Sequence, residues 1–399
     1  LADRPFIYRS CSGIFTNCWD CTFPGGLPRP PRLSLLVPMA LDRISLSGFR
    51  NHRATTLDGT ARFNLLVGEN GAGKTNVLEA ISLFAPGRGL RRAPLAEMAG
   101  SDGPGGFSVG ASLIAQGEEP VRLGTLAEAA RPGRRLVRVN GAEASAVSLG
   151  EWLAISWLTP AMDRLFADSA GARRRYMDRL TVALDASHAR NAARYENALR
   201  ERNRLLSGDD APDPTWLEGV ETQMAEHGAA LASGRERLVA TLQAELARLP
   251  SEPFARPELT YQPGGPTAPD ALRDALRAGR PRERAAGRTL TGPHRDELAV
   301  RMAGKEQPAD RCSTGEQKAM LIAITLAHAG LAAQGRASLL LLDEVAAHLD
   351  PVRREALFAR LADSGAQVWF TGTESAPFAA LGADAAVWRV TGGIVQREG

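Results

Sequence analysis

Strand-and-helix units at both ends of the chain, a glycine-rich loop set between one such strand and its helix, and a long helical stretch in the middle predict an α/β domain interrupted by an inserted, mainly helical second domain. The expected division is residues 1–38 as an N-terminal extension, 39–150 as the first segment of the α/β domain, 151–268 as the helical insertion and 269–399 as the second segment. A chain of 399 residues has the length for two or three domains of roughly 100 to 200 residues each. The 48 basic and 45 acidic side chains leave a formal charge of +3, too even a balance to name a polyanionic partner.

Residues 1–38 are rich in proline, glycine and cysteine, show no amphipathic period, and end just before Met39, the first methionine of the chain. This stretch reads as upstream sequence ahead of a natural start at Met39, or as a disordered arm. Cys11, Cys18 and Cys21 lie in it and Cys312 stands alone in the remainder, which excludes a disulfide scaffold. The Cys18 and Cys21 spacing would suit zinc, but a structural site wants four ligands and the first histidine is His52. No apolar run approaches the roughly 18 residues of a membrane helix, and no continuous apolar stretch of about 7 to 15 residues follows Arg4 and Arg9. A cytoplasmic protein with no membrane partner is expected.

Apolar residues alternate from Leu41 to Leu46, and Asn64 to Val67 is a short apolar run ending in glycine, so both read as strands. A helix is expected from Thr75 to about Phe84, and the alternation between Phe107 and Val139 predicts a β-meander that ends in a turn at Asn140 and Gly141. The middle is arginine-rich and helical from Ala172 to Leu206 and again from Trp216 to Leu249. There Leu231, Leu238, Leu242, Leu246 and Leu249 recur at near-heptad steps, like a short coiled-coil seam. Arms of about 35 residues would each span roughly 50 Å, so a helical hairpin is expected and a long coiled coil is not. After a proline-rich connector from Pro250 to Pro269, the α/β pattern resumes. It comprises a helix from Ser313 to Ala333, a strand from Ser338 to Leu342, a helix from Pro351 to Leu361 and a strand from Gln367 to Thr371.

Gly68, Glu69, Asn70, Gly71, Ala72, Gly73, Lys74 and Thr75 fit the pattern GxxxxGK[ST] between a strand and a helix. Glycines there let backbone N–H groups turn toward phosphate oxygens, and the helix N-terminus adds its positive end. Lys74 would reach the terminal phosphates and the Thr75 hydroxyl would reach Mg²⁺. Lys74 is one of only three lysines among 48 basic residues, at a position where a compact ammonium has a chemical use. The strand from Ser338 ends in Asp343 and Glu344. With a phosphate loop in the chain, Asp343 is the expected Mg²⁺ ligand and Glu344 the expected base that polarises an attacking water, which suits ATP hydrolysis.

Ser313, Thr314, Gly315, Glu316 and Gln317 stand just before a long helix, where a hydroxyl and a glycine amide can receive an anion. Together with Ala347, His348, Leu349 and Asp350 after the acidic strand, they resemble the signature of ABC-type ATPases. That resemblance implies a P-loop ABC-type head whose Ser313, Gly315, Glu316 and Gln317 act in trans on nucleotide held by a second copy, with Asp350 in the loop beside it. The segments from Ile44 to His52, Arg173 to Leu180, Tyr195 to Asn203 and Thr291 to Glu297 resemble the RecF family of recombinational-repair ATPases, over about residues 40 to 397. This family is similar to SMC-type heads but lacks their long coiled coil. The resemblance implies an ATP-dependent homodimer on duplex and gapped DNA, slow DNA-stimulated ATP hydrolysis, and RecO and RecR as partners in loading RecA.

Some positions depart from the family pattern. Pro160, Ala161, Met162, Asp163, Arg164 and Leu165 replace a common Pro-Glu-Asp-Leu, the signature is poorer in glutamine, and Thr371 and Thr373 stand where transporter ATPases carry a phosphate-sensing histidine. Arg50 and Asn51 are expected either at the nucleotide or as solvated turn residues. Arg173, Arg174 and Arg175 are expected either on a DNA-phosphate surface or on a solvated helix face. A transporter ATPase subunit fits less well, because about 240 residues separate Lys74 from Ser313.

Overall fold

The structure is a computed structural model that describes residues 40–100, 105–114, 119–208, 212–250, 252–332, 336–346 and 349–398. The expected extension with Cys18 and Cys21, and Ala347 and His348 of the signature neighbourhood, lie outside the described residues.

The chain opens with a hairpin of β1 (Ala40–Phe49) and β2 (His52–Asp58); β3 (Phe63–Val67) then feeds α1 (Lys74–Ser82). A short α2 (Leu95–Met98) precedes the meander of β4 (Phe107–Ile114), β5 (Val121–Ala127), β6 (Arg135–Val139) and β7 (Ala142–Ala144). Asn140 and Gly141, with φ of 50° and 84°, make the tight turn between the last two, as their sequence predicts. A one-turn α3 (Leu149–Trp152) leads into β8 (Leu153–Leu158). Three helices follow: α4 (Ala170–Leu184), α5 (Ser187–Ser207) and α6 (Pro214–Arg248). Then come β9 (Pro257–Gln262), α7 (Pro269–Ala285), and a hairpin of β10 (Glu297–Met302) and β11 (Gln307–Pro308). The chain ends with α8 (Thr314–Ala332), β12 (Ala337–Leu342), α9 (Pro351–Asp363), β13 (Gln367–Gly372), β14 (Ala385–Thr391) and β15 (Ile394–Arg397).

Among the described residues the central sheet runs β15-β14-β3-β13-β12-β8, parallel throughout except for β15. Every residue of β3, β8, β12 and β13 is buried, which is why these strands read as apolar runs without alternation. Alternate residues face opposite layers. Leu339, Leu341 and Trp369 pack toward the antiparallel sheet β2-β1-β4-β5-β6-β7 and α1, whereas Leu340, Leu342, Val368 and Phe370 pack toward α4, α6, α8 and α9. Helix α8 is buried nearly all round from Ala319 to Ala329, as a helix in a central layer must be.

The helical unit differs from its sequence reading in four ways. The stretch from Ala172 to Leu206 is two helices, broken where Asp185 leaves the helical conformation and caps α4. The leucine seam of α6 does not pair along one partner arm: Leu231 joins Tyr195, Met224 and Leu272 in the helical unit, while Leu238, Leu242 and Leu246 enter the core of the α/β domain. Heptad spacing makes an apolar stripe but does not choose what covers it. The expected connector contains β9, which pairs with β10 in register from Glu297 and Gln262 to Met302 and Pro257. Finally, β8 falls after residue 150 yet is the edge strand of the central sheet, and α7 falls after 268 yet packs on α5 and α6. We therefore propose that the inserted unit runs from α5 through α7.

Arg202 of α5 is fully buried in that unit and bound to Glu221, Glu283, Thr289 and the Leu276 carbonyl, so one guanidinium ties α5, α6 and α7 together. Removing a partner from such a buried cluster costs about 3 to 5 kcal/mol, because the charge left behind is unpaired. Arg235 of α6 makes a second such tie, binding Asp178 of α4 through Nε and Nη2 and Asp296 through Nη1. Burial pushes the Asp178 carboxyl up, but Arg235 and His188 outweigh it and hold the group at about 2.

Candidate nucleotide site

The site forms where β3, β12 and β13 end side by side. Parallel strands present their C-terminal ends on one edge, which is where ligands bind in open α/β sheets. The loop between β3 and α1 turns through Gly71 (φ 83°) and Gly73 (φ 116°), a conformation L side chains rarely adopt. A Cβ on Gly68 would stand 2.2 Å from the Val390 carbonyl oxygen, and one on Gly73 would stand 2.7 Å from Asn51 Oδ1. Steric room, then, as well as φ, demands glycine there.

Glu69, Asn70 and Gly71 are exposed, while Ala72, Gly73 and Lys74 are buried beneath them. Lys74 is only 5% exposed and its ammonium donates to the carbonyls of Gly68 (2.6 Å) and Glu69 (2.9 Å). Burial lowers its pKa, with Glu344 and Asp343 opposing that shift. Its hydrogen bonds go to neutral carbonyls of its own loop, the two carboxylates acting on it through space, and an incoming phosphate would give it an anion in direct contact.

The acidic strand end meets the loop directly. Thr75 Oγ1 donates to Asp343 Oδ1 at 2.8 Å across 268 residues of sequence, and Thr371 Oγ1 donates to the same oxygen at 2.8 Å. The Glu344 N–H in turn donates to Thr371 Oγ1 at 2.9 Å. Glu344 itself has φ 54°, the left-handed region, which costs roughly 1 to 2 kcal/mol for a residue with a Cβ. Strain of that kind persists where the surroundings dictate it, and here it turns the chain sharply off β12. Thr371, fully buried, is the member of this set to which the sequence gives no firm role; its signal is the strand end it shares with Gly372.

Asn51 braces the loop, its Nδ2 donating to the Ala72 carbonyl at 3.0 Å and its Oδ1 accepting from Asn76 at 2.8 Å. His52 closes the segment from Ile44 without a role that its spacing announces; it is fully buried, and its Nε2 lies 3.0 Å from the Gly73 carbonyl. Burial lowers its pKa. Arg50 is bound to α1 and α2. Its Nε and Nη2 bind the buried carboxylate of Glu79 at 2.9 Å each, and Nη1 donates to the Glu97 carbonyl. In this arrangement Arg50 props α1. Arg91 joins it on Glu79 and also donates to Asn76.

The signature residues form a separate surface at the start of α8. Ser313, Thr314 and Gly315 are exposed, and beyond its chain neighbours and its own helix backbone no described atom lies within 4 Å of where a Gly315 Cβ would be. The Ser313 hydroxyl accepts from the Glu316 N–H (3.3 Å) and Glu316 Oε2 accepts from the Ser313 N–H (2.9 Å), the reciprocal cap that the S-x-x-E spacing encodes, and the hydroxyl also donates to Oε2 (3.0 Å). Gln317 points inward and donates to the Cys312 carbonyl, so it holds the turn and is not presented. Lys318 pairs with Asp163 at 3.3 Å, which joins the departing Pro160 to Leu165 segment to the signature helix. Asp350 is exposed and caps α9, accepting from the Arg353 N–H at 3.0 Å. The arginine run is divided by α4. Arg173 is committed to Glu297 and to the Phe166 and Asp168 carbonyls, Arg174 is half-buried on the Asp296 carbonyl, and Arg175 is exposed.

A family model described as the RecF/RecN/SMC N terminal domain matches residues 40–391. The DNA replication and repair protein RecF of Mesorhizobium japonicum is 47% identical over 355 residues, covering 86% of this chain and 93% of that protein. The chain belongs to the RecF family. Its RecF relative in Brucella suis, also called a DNA replication and repair protein, is 44% identical over 377 residues and covers 92% of this chain and 96% of its own. Among solved structures, the recombination mediator protein RecF with ATP, in the RecFOR pathway, superposes with a TM-score of 0.78 at 22% identity, covering 91% of this chain and 98% of that one. The same protein with ATPrS gives 0.77 at 22% identity, covering 91% and 99%. The fold is thus the ABC-type ATPase head shared by RecF and SMC proteins, and no described helix is long and apolar enough to cross a membrane.

Proposed function

We propose that this RecF-family chain is an ATP-dependent DNA-binding protein of recombinational repair. It binds ATP, dimerises head to head on duplex and gapped DNA, hydrolyses ATP slowly with stimulation by DNA, and works in the cytoplasm with RecR- and RecO-type partners to load RecA at single-strand gaps. The observation that supports this reading best is the hydrogen-bonded set of Thr75, Asp343, Thr371 and Glu344 beside the buried ammonium of Lys74. The relatives' names supply the DNA context, and the solved RecF structures with ATP and ATPrS share the fold.

The donor set fits Mg²⁺ with nucleotide. Thr75 Oγ1, in the first turn of α1, and an Asp343 oxygen, just past the end of β12, are hard oxygen ligands 2.8 Å apart, and a magnesium ion takes one or two such groups with phosphate and water filling the rest. Bound there, the ion would neutralise charge on the terminal phosphates. Lys74 and the loop amides from Gly71 to Thr75 would hold those phosphates, and the Glu344 carboxylate would accept the proton of an attacking water. Ser313 and Gly315, exposed and open, would close over nucleotide held by a second copy, with Asp350 in the same contact. On the DNA side the arginine run narrows to Arg175 and some of Arg174, because Arg173 is spent internally.

The test is ATP turnover and DNA binding measured together on gapped duplex. DNA affinity should require ATP, fall log-linearly with salt at about 0.9 per phosphate contact, and depend little on base sequence. Turnover unaffected by DNA, or equal affinity without nucleotide, would remove the coupling.

A further inference from the structure

Lysine is rare here, three against 45 arginines, and each one stands in a half of the proposed composite site: Lys74 in the loop, Lys305 and Lys318 at the signature. Lys305 lies on the turn between β10 and β11, shaped by Gly304 (φ 81°) and Glu306 (φ 48°). Its ammonium pairs with Glu316 Oε1. The other oxygen, Oε2, accepts from the Ser313 N–H (2.9 Å) and the Ser313 hydroxyl (3.0 Å). One carboxylate thus holds the signature serine and one ammonium holds the carboxylate.

This arrangement answers an electrostatic problem. A γ-phosphate that docks on Ser313 meets a carboxylate one hydrogen bond behind the hydroxyl, and a signature with glutamine at that position would meet none. Like charges brought together at a closing interface oppose association. We propose that Lys305 is a positioning residue that neutralises Glu316, so that the signature half can receive the phosphate of nucleotide bound by a second copy. The inference rests on the two-subunit site proposed above. Hydrogen bonds from Lys305 first, then from Ser313, hold the Glu316 carboxyl down at about 2, so the group that needs neutralising is ionised throughout the working range.

Lysine suits the task better than the arginine that this chain uses almost everywhere else. A compact ammonium takes Oε1 and leaves Oε2 to Ser313, whereas a planar guanidinium favours both carboxylate oxygens and would draw the carboxylate off the serine. The two side chains are 54% and 26% exposed, a setting in which ion pairs contribute little to folding stability. Loss of the lysine should therefore show in association and leave the fold alone.

The experiment is light scattering of the full chain with ATP, with melting temperature and single-subunit ATP affinity measured beside it. Lys305→Ala should weaken ATP-driven dimerisation by about tenfold at low salt, and by less at high salt, with both other readouts unchanged. Adding Glu316→Gln to that variant should restore dimerisation, and Lys305→Arg should restore it only incompletely. Wild-type dimerisation in Lys305→Ala, or a double variant as weak as the single one, overturns the proposal. A wild type that stays monomeric with ATP overturns it together with the two-subunit reading beneath it, and does so before any variant is compared.

Discussion

The phosphate-loop half and the signature half are built on opposite principles. In the first, the decisive contacts join segments 268 and 28 residues apart, Thr75 and Thr371 on one Asp343 oxygen, and the participating side chains are buried or half-buried against a sheet. In the second, Ser313 contacts a residue three positions away and stands in solvent. A buried polar set is preorganised by the core around it and can act within one subunit. An exposed cap has its polarity satisfied locally, so its action on a nucleotide needs a surface from outside the chain.

If that contrast holds, substitutions in the two halves should fail in different assays. The largest effect is expected for Lys74→Ala, which removes the only cation in the loop: ATP affinity should drop by at least about a hundredfold in a nucleotide titration, with folding retained. Unaltered affinity would detach the loop from the nucleotide. Ser313→Arg should spare ATP affinity and abolish the ATP-dependent doubling of mass, since bulk and charge land on an exposed face; a variant that still dimerises would make the signature half an ordinary helix cap.

Glu344→Gln keeps the shape of the strained turn and loses the base, so turnover should fall by about a hundredfold or more while an ATP-bound dimer accumulates. Wild-type turnover would take Glu344 out of the chemistry. Thr371→Val leaves the Glu344 N–H without its acceptor and Asp343 without one donor, a loss of about 1 to 3 kcal/mol that should slow turnover about tenfold or more without changing dimer mass. This separates preorganisation from association within one half of the site.

The smallest effect concerns the core behind the site. His328 of α8 is fully buried between Ser156 and the Leu180 carbonyl, and burial lowers its pKa from 6.5 to about 4. Its folded pKa is depressed, so the unfolded chain takes up the proton first as pH falls. Its contribution is therefore complete above about pH 6.5 and declines toward pH 4, by at most about 1.4 kcal/mol per pH unit. Urea melts at pH 7.5 and 5 check the sign; equal midpoints would mean that the imidazole is not held neutral.

Local order was open to the sequence because local chemistry decides it. The GxxxxGK[ST] spacing marks the loop, the S-x-x-E spacing caps α8, Asn140 and Gly141 make a hairpin turn, and short apolar runs, Leu65 to Val67 and Leu339 to Leu342, mark the buried strands β3 and β12. Only the folded chain decides what those elements face. The α6 leucines form a stripe in any reading, but the stripe is shared between two cores because α6 crosses from the helical unit onto the head. Arg50 and Arg173 read as free cations until Glu79 and Glu297, 29 and 124 residues away, claim them. Thr371 is marked only by its place where transporter ATPases carry a sensing histidine, and Lys305 carries no spacing that announces it, since folding brings Asp343 to the one and Glu316 to the other. Periodicity and turn chemistry act over a few residues, and side-chain partners are chosen by packing over the whole chain.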